Sequence, residues 1–119
     1  MHEAAIAEGL LDVLRQRLPP GARVLKLHIV AEPLAGVERE CLLMWLETMT
    51  AGTPIAGVQV DLEIRAATLT CTACAATSRL EPGRGVPLAC AACGGGLRLE
   101  GGSRVWLESA EIEEGDETP

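Results

Sequence analysis

Two pairs of closely spaced cysteines constrain the fold of this chain more than any other feature. Cys71 and Cys74 form the first Cys-x2-Cys pair, Cys90 and Cys93 form the second, and residues 75–89 lie between them. Two residues between cysteines allow a tight turn to aim both sulfur atoms at one point, and a second such turn completes a tetrahedron. The spacing therefore predicts a Zn²⁺ site of four thiolates in a small hairpin, a zinc ribbon.

Two disulfides, unliganded thiols and a thioredoxin-like redox pair are the alternatives to zinc. Disulfides are disfavoured in a reducing compartment, and paired spacings of this kind seldom arise by chance. Neither pair stands at the start of a helix after a strand, as a thioredoxin-like pair would. Four thiolates leave no position for water or substrate, so the predicted zinc is structural and not catalytic. The fifth cysteine, Cys41, is predicted to be a buried, inert thiol.

The composition is that of a small acidic protein with a modest core. The chain has 119 residues, 48% of them hydrophobic, but it has no Phe or Tyr and only two Trp. Leu, Val, Ile and Ala must therefore build the core, and we expect one core and one satellite that gains stability from bound metal. The net charge of −7 argues against a protein that binds nucleic acid by neutralising its phosphates.

Nothing in the sequence indicates export or insertion into a membrane. The start, Met1-His2-Glu3-Ala4, lacks the basic and apolar regions of a signal peptide. No apolar run approaches the ~20 residues that a membrane-spanning helix needs. We therefore expect a cytoplasmic protein, in which the cysteines stay reduced.

Hydrophobic periodicity predicts two helices and three strands outside the cysteine segment. Apolar residues recur at helical spacing in residues 6–18 and 37–49, and they alternate with polar residues in residues 25–29, 58–64 and 105–112. The apolar face of the second helix is predicted to comprise Val37, Cys41, Met44, Trp45 and Met49. One face of the first strand is predicted to be buried, with Leu25, Leu27 and Ile29 on it.

This order of elements predicts an α+β fold in which two helices pack on a small three-stranded mixed sheet, with an inserted zinc-ribbon subdomain. The strand–helix–strand part would be a right-handed crossover, and the two strands that flank the insert would be antiparallel. The first domain would comprise residues 1–66 and 103–113 and the zinc ribbon residues 67–102, followed by a disordered acidic tail, residues 114–119.

The first three residues offer a second set of metal donors. The simplest interpretation of Met1, His2 and Glu3 is a solvated helix start, in which Glu3 lies favourably near the positive end of the helix dipole. A free α-amine, backbone amide nitrogens and an imidazole can also supply the nitrogen donors of a square-planar Ni²⁺ or Cu²⁺ site. The residues alone leave both interpretations open.

A family resemblance favours the metal site. An initial Met-His-Glu, an amphipathic helix, an alternating strand, the loop Ala51-Gly52-Thr53 and the two cysteine pairs, in this order, resemble the HypA/HybF family of hydrogenase nickel-incorporation proteins. The resemblance covers nearly the whole chain. It implies a nickel metallochaperone that helps to insert Ni²⁺ into the large subunit of nickel–iron hydrogenase, together with a nickel-handling, HypB-like GTPase. It also implies that the N-terminal amine of Met1, the His2 imidazole and neighbouring amides bind transferable Ni²⁺, with Glu3 beside them.

The chain departs from this family pattern at several positions. Ala75 and Gly94 follow the cysteine pairs where some members have histidine, which argues against exchange of cysteine for histidine at the zinc. The turn at residues 31–34 lacks the glycine that is usual there. Glu38 stands where some members have another acid near the nickel loop, and we expect it to be a surface carboxylate at a helix start. His28, on the polar face of the first strand, is expected to be solvated or packed rather than a ligand.

The alternative function is a zinc-ribbon adaptor that contacts nucleic acid or the transcription machinery. The cations of the ribbon are accompanied by acids, which gives a thin basic surface: Arg79, Arg84 and Arg98 with Glu81 and Glu100. An enzyme is not expected, because the chain has no Ser-His-Asp set or phosphate-binding glycine loop and has only two histidines. The sequence therefore favours a chaperone that binds other proteins, with no nucleic acid and no membrane span.

Overall fold

Residues 2–81 and 85–113 are described in a computed structural model of the chain. The elements, in chain order, are α1 (Glu3–Arg17), β1 (Arg23–Ala31), a short 3-10 helix (Pro33–Ala35), α2 (Arg39–Thr50), β2 (Gln59–Ile64), β3 (Ala67–Cys71), β4 (Thr77–Leu80), β5 (Leu97–Glu100) and β6 (Val105–Glu113). Met1, Arg84 and the predicted tail, residues 114–119, lie outside the described residues. In the described part of the chain, no helix combines the length and the apolar character needed to cross a bilayer.

The first of two compact units carries both α-helices. It comprises Met1–Val30, Val37–Glu63 and Val105–Pro119, and the strands of its sheet are ordered β2-β1-β6. β1 is therefore the central strand, and it separates the two strands that flank the cysteine segment. The predicted α+β class, two helices with a small three-stranded sheet and a cysteine-containing insert, is confirmed.

Aliphatic side chains build the core of the first unit, as the shortage of aromatic residues requires. α1 contacts α2 and β6, and its buried residues Ala7, Leu10, Leu11 and Leu14 recur three and four positions apart. Burial of each large aliphatic side chain stabilises the fold by roughly 1.5–3 kcal/mol. The large, fully buried aliphatic residues of this unit are Leu11, Leu27, Ile29, Val30, Leu42 and Leu46.

α2 buries a different face from the one predicted. Its buried residues are Leu42, Leu46 and Thr50, whereas Met44 is 51% exposed and Cys41 is only half-buried. The predicted face is therefore wrong by about one residue, which rotates a helix by ~100°. The cause is the composition of the helix, because apolar residues lie on most of its circumference and do not single out one side.

β1 also departs from its predicted alternation. Leu27 and Ile29 are buried as expected, but Leu25 is 43% exposed and Val24 is buried in its place. At the end of the strand Ile29, Val30 and Ala31 are all buried. Successive side chains of a strand point to opposite faces, so three consecutive buried residues mean that both faces of β1 are covered at this end, and alternation alone does not describe the strand.

The second unit has its own small sheet and core. It comprises Ala31–Gly36 and Ile64–Arg104, and its strands are ordered β4-β3-β5. Both neighbours of β3 run antiparallel to it, which gives the hairpin arrangement expected of a ribbon. Its core consists of Ala67, Leu69 and Leu80, with Leu97 and Leu99 packed against them.

A buried carboxylate ties residues 31–36 to the second unit, although the predicted domain boundaries place them with the first. Glu32 is 7% exposed, and its carboxylate accepts hydrogen bonds from the Arg104 backbone amide at 2.9 Å and from Arg104 Nε at 3.0 Å. The hydrogen bond from the Arg104 side chain lowers the pKa of Glu32. Burial acts to raise this pKa, whereas the backbone amides of Gly102 and Arg104 lower it further. These bonds hold the segment against residues 101–104.

Candidate metal centres

The two cysteine pairs lie in turns that share one hydrogen-bond pattern. The residue after each pair donates its amide to the carbonyl of the first cysteine, Ala75 to Cys71 at 3.1 Å and Gly94 to Cys90 at 2.8 Å. Both residues have positive φ angles, 62° at Ala75 and 75° at Gly94. The left-handed conformation reverses the direction of the chain after each pair.

The four sulfur atoms converge as the sequence predicts. They all lie within 4.8 Å of one another, with Cys71 Sγ 3.5 Å from Cys93 Sγ and Cys74 Sγ 3.7 Å from Cys90 Sγ. A tetrahedral zinc with Zn–S bonds of ~2.3 Å keeps its sulfurs about 3.8 Å apart, whereas a disulfide joins them at ~2.0 Å. The donor set and spacing fit Zn²⁺ and exclude disulfides in this structure.

Backbone amides support negative charge on these sulfurs. Ala73 and Cys74 donate their amides to Cys71 Sγ at 3.3 and 3.4 Å, and the Gly95 amide donates to Cys93 Sγ at 3.4 Å. The amides of Cys74 and then Ala73 lower the pKa of Cys71 to about 6. Hydrogen bonds from backbone amides to sulfur are typical of zinc knuckles, in which they stabilise the thiolate ligands.

The thiols do not all ionise equally without a cation. Backbone amides, foremost that of Cys93, lower the pKa of Cys90. At Cys93 the Gly95 amide also acts to lower the pKa, but the neighbouring Cys71 sulfur and other thiols raise it to about 12. Like charges this close oppose one another. A dication that all four sulfurs share removes this conflict, which is why the cluster suits a bound metal.

At the chain start, His2 and Glu3 have different surroundings. His2 is exposed, and its carbonyl accepts the first hydrogen bond of α1 from the Ile6 amide at 3.0 Å. Glu3 is only 2% exposed, and its carboxylate accepts the Glu38 backbone amide at 3.1 Å. The α-amine, first, and the Glu38 amide lower the pKa of Glu3 to about 2. Glu3 is therefore not the solvated side chain of the simplest interpretation.

Glu38 has the structural role expected for it. It is the N-cap residue of α2, and its carboxylate accepts the Cys41 amide at 2.7 Å and the Glu40 amide at 3.4 Å. A side-chain oxygen at this position satisfies amides that have no partner within the helix. Its own backbone amide is the group that contacts Glu3.

His28 has a partner that sequence reasoning missed. Its Nε2 lies 3.1 Å from Glu63 Oε1, and both side chains are partly exposed, at 31% and 40%. His28 is therefore partly exposed and paired with a carboxylate. Its partner lies 35 residues away in the sequence, so only the pairing of β1 and β2 in one sheet brings the two together.

The fold and the cysteine site together define a small metal-binding protein, an α+β unit with a four-cysteine ribbon. A profile of the HypA family, described as hydrogenase/urease nickel incorporation metallochaperones, matches residues 1–112. The chain therefore belongs to the HypA family. Members of this family are metallochaperones that serve maturation of other proteins, and the chain is not an enzyme.

Individual relatives agree with this family. The chain is 35% identical over 79 residues to the hydrogenase maturation factor HypA of Polaromonas naphthalenivorans, which covers 65% of this chain and 69% of that protein. It is 36% identical over 89 residues to HypA of Cupriavidus necator, over 73% of this chain and 74% of that one. The solution structure of the Ni metallochaperone HypA from Helicobacter pylori matches with a TM-score of 0.66 at 14% identity, over 96% of this chain and 99% of the other. That likeness is one of fold.

Proposed function

We propose that this chain is a nickel metallochaperone that binds Ni²⁺ at its N-terminus and helps to deliver it to nickel–iron hydrogenase during maturation. The observation that carries the proposal is the family match over residues 1–112 together with the start Met1-His2-Glu3. The terminal amine, the His2 imidazole and neighbouring backbone amides are nitrogen donors that suit square-planar Ni²⁺. Glu3 stands beside these donors.

The surroundings of His2 and Glu3 support a site that releases its metal. A cargo ion has to reach a partner, and His2 is exposed at the surface of the protein. The hydrogen bond between Glu3 and the Glu38 amide holds the chain start against the start of α2. The partners we propose are a nickel-handling GTPase and the hydrogenase large subunit, which the chain would meet in the cytoplasm.

A titration with Ni²⁺ on three forms of the zinc-loaded protein tests the nickel site. The native-terminus protein is expected to develop the absorption of square-planar Ni²⁺. His2→Ala and a form with residues added before Met1 are expected to lose it, because one lacks the imidazole and the other the terminal amine. His28→Ala is the matched control, since it removes the other histidine of the chain and should keep the absorption. Equal square-planar absorption in all forms would contradict the proposal.

The zinc in this proposal is structural and is held by the four cysteines of the ribbon: Cys71, Cys74, Cys90 and Cys93. We expect about one zinc per chain at Zn–S distances of ~2.3 Å. Cys74→Ala should lose zinc and unfold the ribbon, because three thiolates no longer close the site. Cys41→Ala is the matched control, since Cys41 lies on α2 in the first unit and is not one of the four clustered cysteines. Full zinc occupancy in Cys74→Ala would contradict the assignment.

The adaptor alternative has less support. Of the ribbon cations within the described residues, Arg98 already pairs with Glu100 at 3.0 Å, which reduces its value for phosphate binding. Nucleic-acid binding that weakens steeply with added salt would nevertheless favour the adaptor. We expect no such binding at physiological salt, and a filter-binding assay on duplex and single-stranded DNA measures it.

A further inference from the structure

We propose that His28, Glu63 and Glu108 form a separate site for a first-row transition-metal dication on the sheet of the first unit. β1 is the central strand, between β2 and β6. His28 on β1 therefore has one glutamate on each neighbouring strand, Glu63 on β2 and Glu108 on β6. Three adjacent strands thus present an imidazole between two carboxylates, a site distinct from the cysteines and from the N-terminus.

The donor atoms of these side chains are close enough to share one ion. One nitrogen of His28 and one oxygen from each glutamate all lie within 4.8 Å of one another, and His28 Nε2 is already 3.1 Å from Glu63 Oε1. Metal–ligand bonds of ~2.0–2.2 Å place neighbouring donors about 3 to 4 Å apart. Because Glu63 is 40% exposed and Glu108 is exposed, small side-chain rotations can close the site.

The surrounding charge also favours a cation. His28 lines a small cavity of about 130 Å³ with Lys26, Asp61, Ser109 and Glu111. The carboxylates of Asp61 and Glu111 add negative charge beside the proposed ligands, and the ammonium of Lys26 offsets part of it. Of the three proposed ligands, only His28 lines this cavity. Because Glu63 is partly exposed and Glu108 is exposed, solvent water can complete the coordination of an ion that the protein binds on one side.

The ligand types indicate which ions the site takes. Imidazole suits Ni²⁺, Zn²⁺ and related ions, whereas Mg²⁺ and Ca²⁺ prefer oxygen ligands alone. Two carboxylates balance the charge of a dication, and one nitrogen with several oxygens favours octahedral rather than square-planar nickel. Ni²⁺ at this site is therefore paramagnetic, unlike square-planar Ni²⁺, and the two sites can be told apart in one sample.

The first test observes the two histidine rings directly. The probe is Ni²⁺ added to zinc-loaded protein with an extended N-terminus, and the chain has two histidines, whose ring signals NMR can follow separately. We expect the His28 ring signals to broaden beyond detection at about one equivalent of Ni²⁺, with the His2 ring affected less. His28 signals that stay sharp in several-fold excess of Ni²⁺ would overturn the proposal.

Substitutions distinguish binding by specific ligands from a general attraction of cations to an acidic surface. Glu63→Gln and Glu108→Gln are each expected to weaken Ni²⁺ binding by about tenfold or more, because each removes a charged ligand. Glu111→Gln removes a nearby charge that is not a ligand and should have a smaller effect, and Glu8→Gln, on the exposed side of α1, should have none. If Glu111→Gln weakens binding as much as Glu108→Gln, the ion is attracted only diffusely and the site does not exist.

His28→Ala completes the test and is expected to abolish the binding. Zinc content and far-UV circular dichroism check that it folds, and the two conservative glutamine variants decide the question if it does not. This site does not depend on the nickel site proposed at the N-terminus. Loss of square-planar absorption in His2→Ala reports on the N-terminus alone, whereas broadening of the His28 ring reports on the sheet alone, so either proposal can fail by itself.

Discussion

The backbone amide of Glu38 donates a hydrogen bond of 3.1 Å to the buried carboxylate of Glu3. Glu38 in turn caps α2 with its own carboxylate. The first turn of α1, which contains Glu3, is therefore hydrogen-bonded to Glu38, the residue that caps the start of α2. In a protein proposed to bind metal through its first residues, this contact fixes where those residues lie relative to the helical core of the first unit.

Replacement of Glu3 tests this contact. Glu3→Ala leaves the Glu38 amide without its acceptor, so we expect the thermal unfolding midpoint to fall by a few degrees. Glu3→Gln keeps an acceptor oxygen and should lose less. Glu8→Ala, an exposed glutamate on the same helix, is the control and should leave the midpoint nearly unchanged. Equal midpoints for Glu3→Ala and Glu8→Ala would show that the contact does not stabilise the fold.

We predict that the zinc site requires glycine at position 95, because there is no room for a side chain there. A Cβ atom there would lie 3.0 Å from Ala73 Cβ, 3.1 Å from Cys71 Sγ and 3.2 Å from Cys93 Sγ. Gly95→Ala should therefore displace the sulfurs and weaken zinc binding in a competition with a chelator. At Gly96 the nearest atom, Thr72 Oγ1, lies at 3.4 Å, so Gly96→Ala should bind zinc almost normally. Zinc binding that is the same in both variants would contradict this account.

Exchanging alanine and glycine at the two residues that follow the cysteine pairs should change the stability in opposite directions. The left-handed conformation costs a non-glycine residue ~1–2 kcal/mol, while glycine loses roughly 0.5–1 kcal/mol more backbone entropy on folding. Ala75→Gly should therefore stabilise the zinc-loaded protein by about 0.5–1 kcal/mol, and Gly94→Ala should destabilise it by a similar amount. Chemical denaturation of the two variants measures both. Shifts of the same sign would mean that backbone conformation does not control these turns.

The cysteine site could be predicted from the sequence because its geometry is local. Each pair is closed by a hydrogen bond across four residues, from Ala75 to Cys71 and from Gly94 to Cys90, so the spacing of the cysteines carries most of the information. Periodicity over residues 6–18 and 105–112 located α1 (Glu3–Arg17) and β6 (Val105–Glu113) for the same reason, although α1 starts three residues earlier than the periodic stretch. The ligand set proposed for nickel came from the family resemblance and stays a prediction.

What the sequence did not reveal depends on contacts distant in the chain. His28 and Glu63 are 35 residues apart, and Glu32 and Arg104 are 72 apart, so neither pair leaves a periodic or local signal. The buried face of α2 was missed for another reason. Its apolar residues surround most of the helix, and only packing against α1 selects Leu42 and Leu46.

The contact between Glu32 and Arg104 predicts a pH-dependent contribution to stability. The pKa of Glu32 is lowered, foremost by its hydrogen bond with the Arg104 side chain. A carboxyl group whose pKa is lower in the folded than in the unfolded state stabilises the fold above the unfolded-state pKa, ordinarily 4.5. This stabilisation is lost as the pH falls through the folded-state pKa. Glu32→Gln should therefore unfold at a lower temperature than the parent protein at pH 7, and this difference should shrink as the solution is acidified.

The measurement is the unfolding midpoint of the parent and of Glu32→Gln at a series of pH values. Acid also releases zinc from thiolates in both proteins, so the informative quantity is the difference between the two midpoints at each pH, in which that loss largely cancels. Glu8→Gln is the control and should show no difference at any pH, because Glu8 is exposed. Arg104→Gln should reproduce only part of the effect, since backbone amides of Gly102 and Arg104 still support the carboxylate and the Arg104 side chain is 71% exposed. A difference between Glu32→Gln and the parent that stays constant from neutral to acidic pH would show that Glu32 acts through its shape and not through its charge.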